Sequence, residues 1–205
     1  MIRVLIAEDQ SMVRGALAAL LRMEPDIEVV AEVAAGDEVL PAAVERQPDV
    51  AILDVEMPGL DGLAAAGVLR SEMPSVRVLI VTTFGRPGYL RRALEAGASG
   101  YLLKDAPATD LAVAIRRAIA GERIVDPVLA VEALSEGGNP LSDRESEVLE
   151  SSMRMGTVAE IADSLSLSEG TVRNHLSAAI QKTGARNRAE AARIAQDKGW
   201  LGPSG

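Results

Sequence analysis

Short apolar runs alternate with stretches of helical periodicity over the first part of the chain. Each apolar run has the length of a strand and precedes a stretch whose apolar residues recur at helical spacing. Continuous apolar strands separated by amphipathic helices are typical of a parallel sheet covered on both faces. The pattern therefore predicts an α/β fold, a five-stranded doubly wound parallel-sheet domain over residues 1–121. The predicted strands are Val4–Ala7, Glu28–Ala34, Val50–Leu53, Val76–Thr82 and Gly100–Leu103.

The pattern changes after residue 121. Residues 122–140 predict a linker, with a short helix over Asp126–Leu134 and a flexible segment of small and turn-forming residues over Ser135–Pro140. Residues 141–205 carry helical patterns only and predict a smaller all-α domain of four helices. The second and third of these are separated by a few residues, as in a helix-turn-helix. The predicted helices are Ser142–Met153, Val158–Leu165, Ser168–Lys182 and Asn187–Lys198.

Composition narrows the class of protein. Hydrophobic residues make up 48% of the chain and charged residues 25%, which is typical of a folded soluble protein. No apolar run approaches the roughly 18 residues of a membrane span, and we expect a cytoplasmic protein without a membrane partner. The chain has no cysteine and one histidine, which disfavours disulfides, thiolate metal sites and hydrolytic triads. We therefore expect that it is not an enzyme.

Charge is distributed unevenly along the chain. The net charge is −9, yet residues 170–205 carry six basic and two acidic side chains, a local charge of +4. Only this last segment has the charge expected of a surface that binds a polyanion. Aromatic residues make up 2% of the chain, so a stacking platform for single-stranded nucleic acid is not expected.

Five polar residues lie at the ends of the predicted strands. Glu8 and Asp9 follow the first strand, Asp54 the third, Thr82 the fourth and Lys104 the fifth. Because parallel strands end at one edge of a sheet, the three carboxylates should gather there and suit Mg²⁺. With a hydroxyl and an ammonium beside them, they form a place that receives a phosphoryl group. Acidic residues at strand ends commonly have no role beyond contact with solvent. Solvent exposure alone does not explain why three acids, a threonine and a lysine all lie at strand ends.

The same segments resemble the receiver domains of two-component response regulators, over the whole of residues 1–120. The resemblance implies that Asp54 accepts phosphate from a sensor histidine kinase, and that Thr82 and Lys104 bind the phosphoryl oxygens. It makes Tyr101 the aromatic residue that moves with Thr82 in the switch. The Mg²⁺ ligands that it implies are the side chains of Glu8, Asp9 and Asp54, with Glu8 often acting through water, and the backbone carbonyl of Glu56. The matching segments are Ile6–Gln10, Ile52–Gly62, Val81–Thr83 and Gly97–Lys104.

The third predicted helix of the second domain is amphipathic. A projection at 100° per residue places a buried stripe on one side, a polar face opposite and His175 at the border. Such a face occurs on any solvated helix, but the basic residues that follow favour DNA. The stripe holds Val172, Leu176, Ala179 and Ile180, the polar face Arg173, Asn174, Ser177 and Gln181, and the basic residues are Lys182, Arg186, Arg188 and Arg193.

This domain resembles the LuxR/NarL-type DNA-binding domains, on Leu141–Leu149, Glu160–Ala162 and Leu167–His175. The resemblance implies a homodimer on phosphorylation that binds double-stranded promoter DNA. Residues 82–90 further resemble the DesR-type regulators, which act with membrane-sensing kinases on lipid desaturation. The residues implied to face base edges are Arg173, Asn174 and Ser177, and those implied to approach the DNA backbone are Thr171, His175 and Lys182.

Two other functions compete with a phosphorylation-switched transcription factor. A phosphatase of the haloacid dehalogenase type also carries paired acids after a strand, as in Asp54 and Glu56. In that family the nucleophile follows the first strand of the domain, whereas Asp54 follows the third, and a DNA-binding domain has no role there. A regulator controlled by a partner or ligand without phosphorylation remains open at the level of the sequence.

Overall fold

A computed structural model describes residues 1–83, 87–105, 108–125, 130–131 and 139–201 of the chain. The chain forms two compact units, the first holding most of residues 1–132 and the second residues 133–204. No helix within the described ranges has both the length and the apolar character needed to span a membrane.

The first unit is built on a parallel sheet. Its strands lie in the order β2-β1-β3-β4-β5-β6, so that the chain reverses direction along the sheet after β2 and helices cross over both faces. The strands are β1 Ile2–Ala7, β2 Ile27–Val33, β3 Val50–Leu53, β4 Arg77–Thr82, β5 Gly100–Leu103 and β6 Ile124–Val125. The α/β class, the doubly wound topology and the positions of the first five strands are confirmed.

The sheet has six strands, so the prediction of five was wrong by one. The sixth strand has two residues, too few to give a periodic signal, and it falls in the segment predicted as linker. It pairs with β5, and the amide of Ile124 donates to the carbonyl of Ser99 at 3.0 Å. The strand forms because it provides hydrogen-bond partners for backbone groups at the edge of β5. The pattern of apolar residues gives no indication of such pairing. Ala130 and Val131 are helical, while the rest of the predicted short helix and Ser135–Gly138 lie outside the described residues.

Within the described residues five helices cover the sheet, namely α1 Ser11–Leu21, α2 Val39–Arg46, α3 Gly62–Glu72, α4 Pro87–Glu95 and α5 Ala108–Ile119. One core cluster joins the strands to α1 and α5, where Ala18 and Ile115 are fully buried. The central strand β3 is buried along its whole length, which explains its continuous apolar sequence. This packing fixes the strand ends that carry the candidate site.

The second unit has four described helices, α6 Asp143–Arg154, α7 Val158–Leu165, α8 Glu169–Thr183 and α9 Arg188–Asp197. The smaller all-α domain of four helices is thereby confirmed, with the described ends within one residue of those predicted. Each helix is preceded by a residue whose side chain accepts a hydrogen bond from a backbone amide of the first turn. These capping residues are Ser142, Thr157, Ser168 and Asn187.

Arg186 and Glu190 form an ion pair with two side-chain hydrogen bonds at the start of α9. The guanidinium of Arg186 donates through Nε and Nη2 at 3.0 Å each, and its backbone amide donates at 2.8 Å. These side-chain and backbone bonds lower the pKa of Glu190 from its ordinary 4.5 to about 2. The ionised form is therefore stabilised by folding, and this contribution is lost as pH falls from 4.5 towards the folded value.

We expect Glu190→Gln to flatten the acid dependence of stability. Between pH 4.5 and about 2 the free energy of unfolding of the native chain should fall more steeply than that of the variant. Urea unfolding followed by fluorescence of Trp200, the single tryptophan, reports on the second unit. Because Arg186 is largely exposed, added salt should shrink the difference. If the free energy of unfolding fell equally steeply with pH in the two proteins, the lowered pKa of Glu190 would be contradicted.

Candidate functional site

The carboxylates of Glu8, Asp9 and Asp54 meet at one edge of the sheet. β1 and β3 are paired in register up to Ala7 and Leu53, so the residues that follow them are neighbours. The amide of Asp54 donates to the carbonyl of Ala7 at 2.9 Å, which extends the ladder into the site. One oxygen from each of the three carboxylates lies within 4.8 Å of the others. The structure thus brings together the acidic residues that the sequence places at separate strand ends.

Lys104 bridges two of these carboxylates. Its Nζ lies 2.6 Å from Oε2 of Glu8 and 2.9 Å from Oδ2 of Asp54, whose side chains are 1% and 5% exposed. Burial raises the pKa of Glu8, the charge of Asp54 raises it further, and the bond to Lys104 acts against both. Burial alone would lower the pKa of Lys104, but its bonds to Glu8 and Asp54 raise it. The ammonium therefore stays charged between two buried acids.

Thr82 and Tyr101 occupy the neighbouring strands. Thr82 is fully buried at the end of β4, and its carbonyl accepts from the amide of Lys104 at 2.8 Å. Tyr101 is 1% exposed and pairs in register with Ile80 on β4. Glu56 lies in the loop after β3 and is half-buried. The switch role of Tyr101 and the metal role of the Glu56 carbonyl stay predictions.

The close approach of Gly62 to the acidic site was missed by sequence reasoning. The Cβ that any other residue carries would lie 1.8 Å from the carbonyl oxygen of Asp54, and the amide of Gly62 donates to the carbonyl of Val55 at 3.0 Å. The glycine lets the start of α3 fold against the backbone of Asp54. Gly62 stands in the matched segment Ile52–Gly62, but no spacing in the sequence indicates which atom it approaches.

Arg14 was also missed. Its Nη1 donates to the carbonyl of Glu8 at 2.5 Å and to that of Asp9 at 3.4 Å. These hydrogen bonds from α1 fix the loop between β1 and α1. They also place a positive charge next to the backbone of two acidic residues. An arginine on an amphipathic helix gives no sequence signal for this role, because the same pattern occurs on solvated helices.

The polar face of α8 is exposed as predicted. Arg173, Asn174 and Ser177 are exposed and His175 is half-buried. On the opposite side Val172, Leu176 and Ala179 are buried, and Ile180 packs against them at the edge of the core. The helix therefore offers a continuous polar surface that begins one turn from its capped end.

Two residues of this face have partners on the same helix. The Nη2 atom of Arg173 lies 2.6 Å from Oε2 of Glu169, both side chains being more than half exposed. The hydroxyl of Thr171 lies 2.8 Å from that of Ser168, the capping residue. Exposed pairs of this kind contribute little to stability, so Arg173 can exchange its partner at small cost.

Two of the other predicted basic residues contact neighbouring elements. Lys182 in the last turn of α8 lies 2.7 Å from the carboxylate of Glu145 in α6. The guanidinium of Arg188 donates to the carbonyl of Gly156 at 2.7 Å, which ties α9 to the turn before α7. Arg188 was predicted to favour DNA from its charge and Lys182 from its charge and from the resemblance, and the structure gives both residues partners inside the unit.

Comparison with known proteins matches both units. A model described as the response regulator receiver domain matches residues 4–116, and one described as bacterial regulatory proteins of the luxR family matches residues 139–195. The transcriptional regulatory protein DesR of Bacillus subtilis (strain 168) is 48% identical over 201 residues, which cover 98% of this chain and 100% of that protein. The response regulator RamR of Streptomyces coelicolor is 40% identical over 202 residues, which cover 98% of both.

Two solved structures extend the comparison over both units. The response regulator ChrA of a heme-sensing two-component system has a TM-score of 0.57 and 34% identity, covering 96% of this chain and 97% of that one. A structure of two RcsB dimers bound to two parallel DNAs has a TM-score of 0.66 and 25% identity, covering 96% of this chain and 98% of that one.

We expect Gly62→Ala to destabilise the first unit and to weaken binding of Mg²⁺. The added methyl group has to displace the carbonyl of Asp54, and overpacking of this kind costs about 1 to 3 kcal/mol. Urea unfolding followed by circular dichroism measures the first effect, and a calorimetric titration with Mg²⁺ measures the second.

Gly67→Ala is the matched control on the same helix. No atom lies within 4 Å of the Cβ that would be added there. Alanine in a helix interior is more stable than glycine by about 0.5 to 1 kcal/mol, so this variant should gain stability and bind Mg²⁺ as the native chain does. Equal effects of the two substitutions would show that the contact of Gly62 with Asp54 is unimportant.

Proposed function

Because the chain belongs to the two-component response regulators that join a receiver domain to a LuxR-type DNA-binding domain, we propose that a sensor histidine kinase phosphorylates Asp54 and thereby controls its binding to promoter DNA. The predicted resemblance to both families, and to DesR among them, is confirmed. The role of each residue in the acidic pocket is the part that we propose.

One observation carries the assignment to Asp54. Asp54 follows β3, which lies between β1, with Glu8 and Asp9 at its end, and β4, with Thr82 at its end, and its Oδ2 lies 2.9 Å from Nζ of Lys104. Its Oδ1 accepts from the amide of Val55 at 2.8 Å, which fixes the plane of the carboxylate. A carboxylate held in this way is positioned for nucleophilic attack before the phosphoryl group arrives.

The donor set of the pocket fits Mg²⁺. Three carboxylates with oxygens within 4.8 Å of one another provide the hard oxygen ligands that this ion prefers. We propose that Asp9 and Asp54 bind it directly, with Glu8 and the backbone carbonyl of Glu56 completing the protein ligands. When bound, the ion supplies positive charge to the transferring phosphoryl group.

Phosphoryl transfer requires little covalent chemistry from the protein. A lone pair on Oδ2 of Asp54 forms the new O–P bond while the N–P bond of the kinase phosphohistidine breaks and its electron pair returns to the imidazole. Lys104, which contacts Oδ2 in the free pocket, shifts its ammonium to a phosphoryl oxygen as charge moves there. The hydroxyl of Thr82 binds another phosphoryl oxygen.

We propose that this added charge is the signal. A phosphoryl group brings about −1.5 to −2 charges to a buried strand end, which draws Thr82 towards it and leaves space for Tyr101 to reorient. Both residues lie on strands next to the helices α4 and α5. A change there shifts the receiver towards a homodimer, and the dimer binds paired DNA half-sites in the cytoplasm.

The protein would then act on no external substrate and would not be an enzyme in the usual sense, because the phosphoryl group ends on its own side chain. A regulator that keeps this pocket and is controlled by a partner or ligand without phosphorylation is the second candidate. The position of Lys104 between Glu8 and Asp54 favours control by phosphorylation, because its ammonium can also bind an oxygen of a phosphoryl group attached to Asp54.

We expect Asp54→Ala to abolish phosphorylation. Incubation of the full chain with acetyl phosphate and Mg²⁺ should add the mass of one phosphoryl group to the native protein and none to the variant, as measured by intact mass spectrometry. Asp105→Ala removes an exposed carboxylate next to Lys104 and should be modified as the native chain is. Stoichiometric modification of Asp54→Ala would overturn the assignment, and an unmodified native chain would favour control without phosphorylation.

We expect Arg173→Ala to reduce sequence preference. An exposed guanidinium near the N-terminal end of a recognition helix binds a guanine edge through two hydrogen bonds, and its loss costs about 1 to 3 kcal/mol per half-site. Binding to a duplex selected from a random pool should weaken more than binding to mixed-sequence duplex. An unchanged ratio between the two affinities would contradict a role in base readout.

A further inference from the structure

An ion pair between a buried carboxylate and a lysine side chain that is 41% exposed links two helices of the DNA-binding unit. The carboxylate of Glu145 in the first turn of α6 is 9% exposed and lies 2.7 Å from Nζ of Lys182 in the last turn of α8. The two residues are 37 positions apart in the sequence. Their pairing joins the first helix of the unit to the C-terminal end of the helix that carries Arg173.

The same carboxylate oxygen of Glu145 makes a second hydrogen bond. Oε2 of Glu145 also accepts from the backbone amide of Ser142 at 2.7 Å, which completes the capping box of α6. One atom therefore fixes both the start of α6 and the end of α8. The bond to Lys182 lowers the pKa of Glu145 against the effect of burial, so the carboxylate is ionised at neutral pH.

The position of the pair suits both helices. An acidic side chain in the first turn and a basic one in the last turn each complement the helix dipole. Val148 and Leu149 of α6 and Leu176 and Ala179 of α8 belong to one core cluster. The ion pair thus lies where two helices that share a core meet.

From this arrangement we propose that Glu145 and Lys182 position α8 on the unit, and that Lys182 supports DNA binding through this contact rather than by neutralising a phosphate. A phosphate contact would draw the ammonium away from a carboxylate that is mostly shielded from water, although the lysine side chain itself is 41% exposed. That carboxylate would then remain buried without its charged partner, which is strongly unfavourable. The paired charges sum to zero, so the pair releases no counterion when DNA binds.

The two roles of Lys182 predict opposite effects of Glu145→Gln. If Lys182 contacts phosphate, removing the acid frees the ammonium and takes away a negative charge near DNA, and affinity rises. If Lys182 positions α8, the same change loosens the end of the helix and affinity falls for every sequence. Glu147→Gln, an exposed acid on the same helix, is the matched control for charge and should bind as tightly as the native chain or slightly more tightly.

The experiment measures binding of the full chain to a mixed-sequence duplex and to a duplex selected from a random pool. Acetyl phosphate and Mg²⁺ are present throughout, and salt runs from about 50 to 200 mM. We expect Glu145→Gln and Lys182→Met each to lose about tenfold or more on both duplexes, with an unchanged slope of log affinity against log salt. Lys182→Arg, which keeps a donor for Glu145, should recover most of the loss.

Thermal unfolding of each variant ensures that binding is compared between folded proteins. If Glu145→Gln does not fold, the salt slopes of Lys182→Met and Lys182→Arg decide the question. A slope for Lys182→Met that is smaller by about 0.9, with affinity restored at high salt, would establish a phosphate contact and overturn the proposal. Tighter binding by Glu145→Gln would overturn it as well.

Discussion

The contact of one ammonium with two buried carboxylates governs the arrangement of the receiver unit. Lys104 lies within 3 Å of both Glu8 and Asp54, and Asp9 adds a third acid beside them. Three carboxylates gathered around one ammonium, two of them buried, favour the binding of a further cation. The sheet register, the carbonyl contacts of Arg14 and the close approach of Gly62 all serve to keep these groups together.

Much of this organisation follows from sequence patterns, and the exceptions have physical causes. The five longer strands and the four helices of the second unit were predicted because each carries several periods of apolar residues. The strand β6 was not, because two residues have no period and its formation depends on the free edge of β5. The acids at strand ends were predicted because parallel strands share one edge. The contact of Gly62 with a carbonyl depends on a loop conformation that residue spacing does not specify.

In the DNA-binding unit, the pattern of apolar residues predicted the buried side of α8 better than the distribution of charge predicted which basic residues are available to DNA. The exposed and buried sides of α8 follow directly from its periodicity. The six basic residues after position 170 suggested a phosphate-binding surface, but the structure pairs Arg173, Lys182 and Arg186 with acids of the same unit. Two of these acids lie within four residues of their partner, whereas Glu145 is remote in the sequence. A count of charges cannot separate cations that are available to DNA from those that hold helices together.

The edge strand β2 has a consequence for how copies of this protein meet. It is the outermost strand on its side of the sheet, seven residues long, and its backbone would accept a strand from another molecule. Glu28 and Glu32 stand exposed on it, each beside an arginine of its own unit. Two such edges brought together would place acidic side chains of the same charge side by side. Uncontrolled edge-to-edge aggregation through this strand is thereby disfavoured, although the strand is long enough to pair with another one.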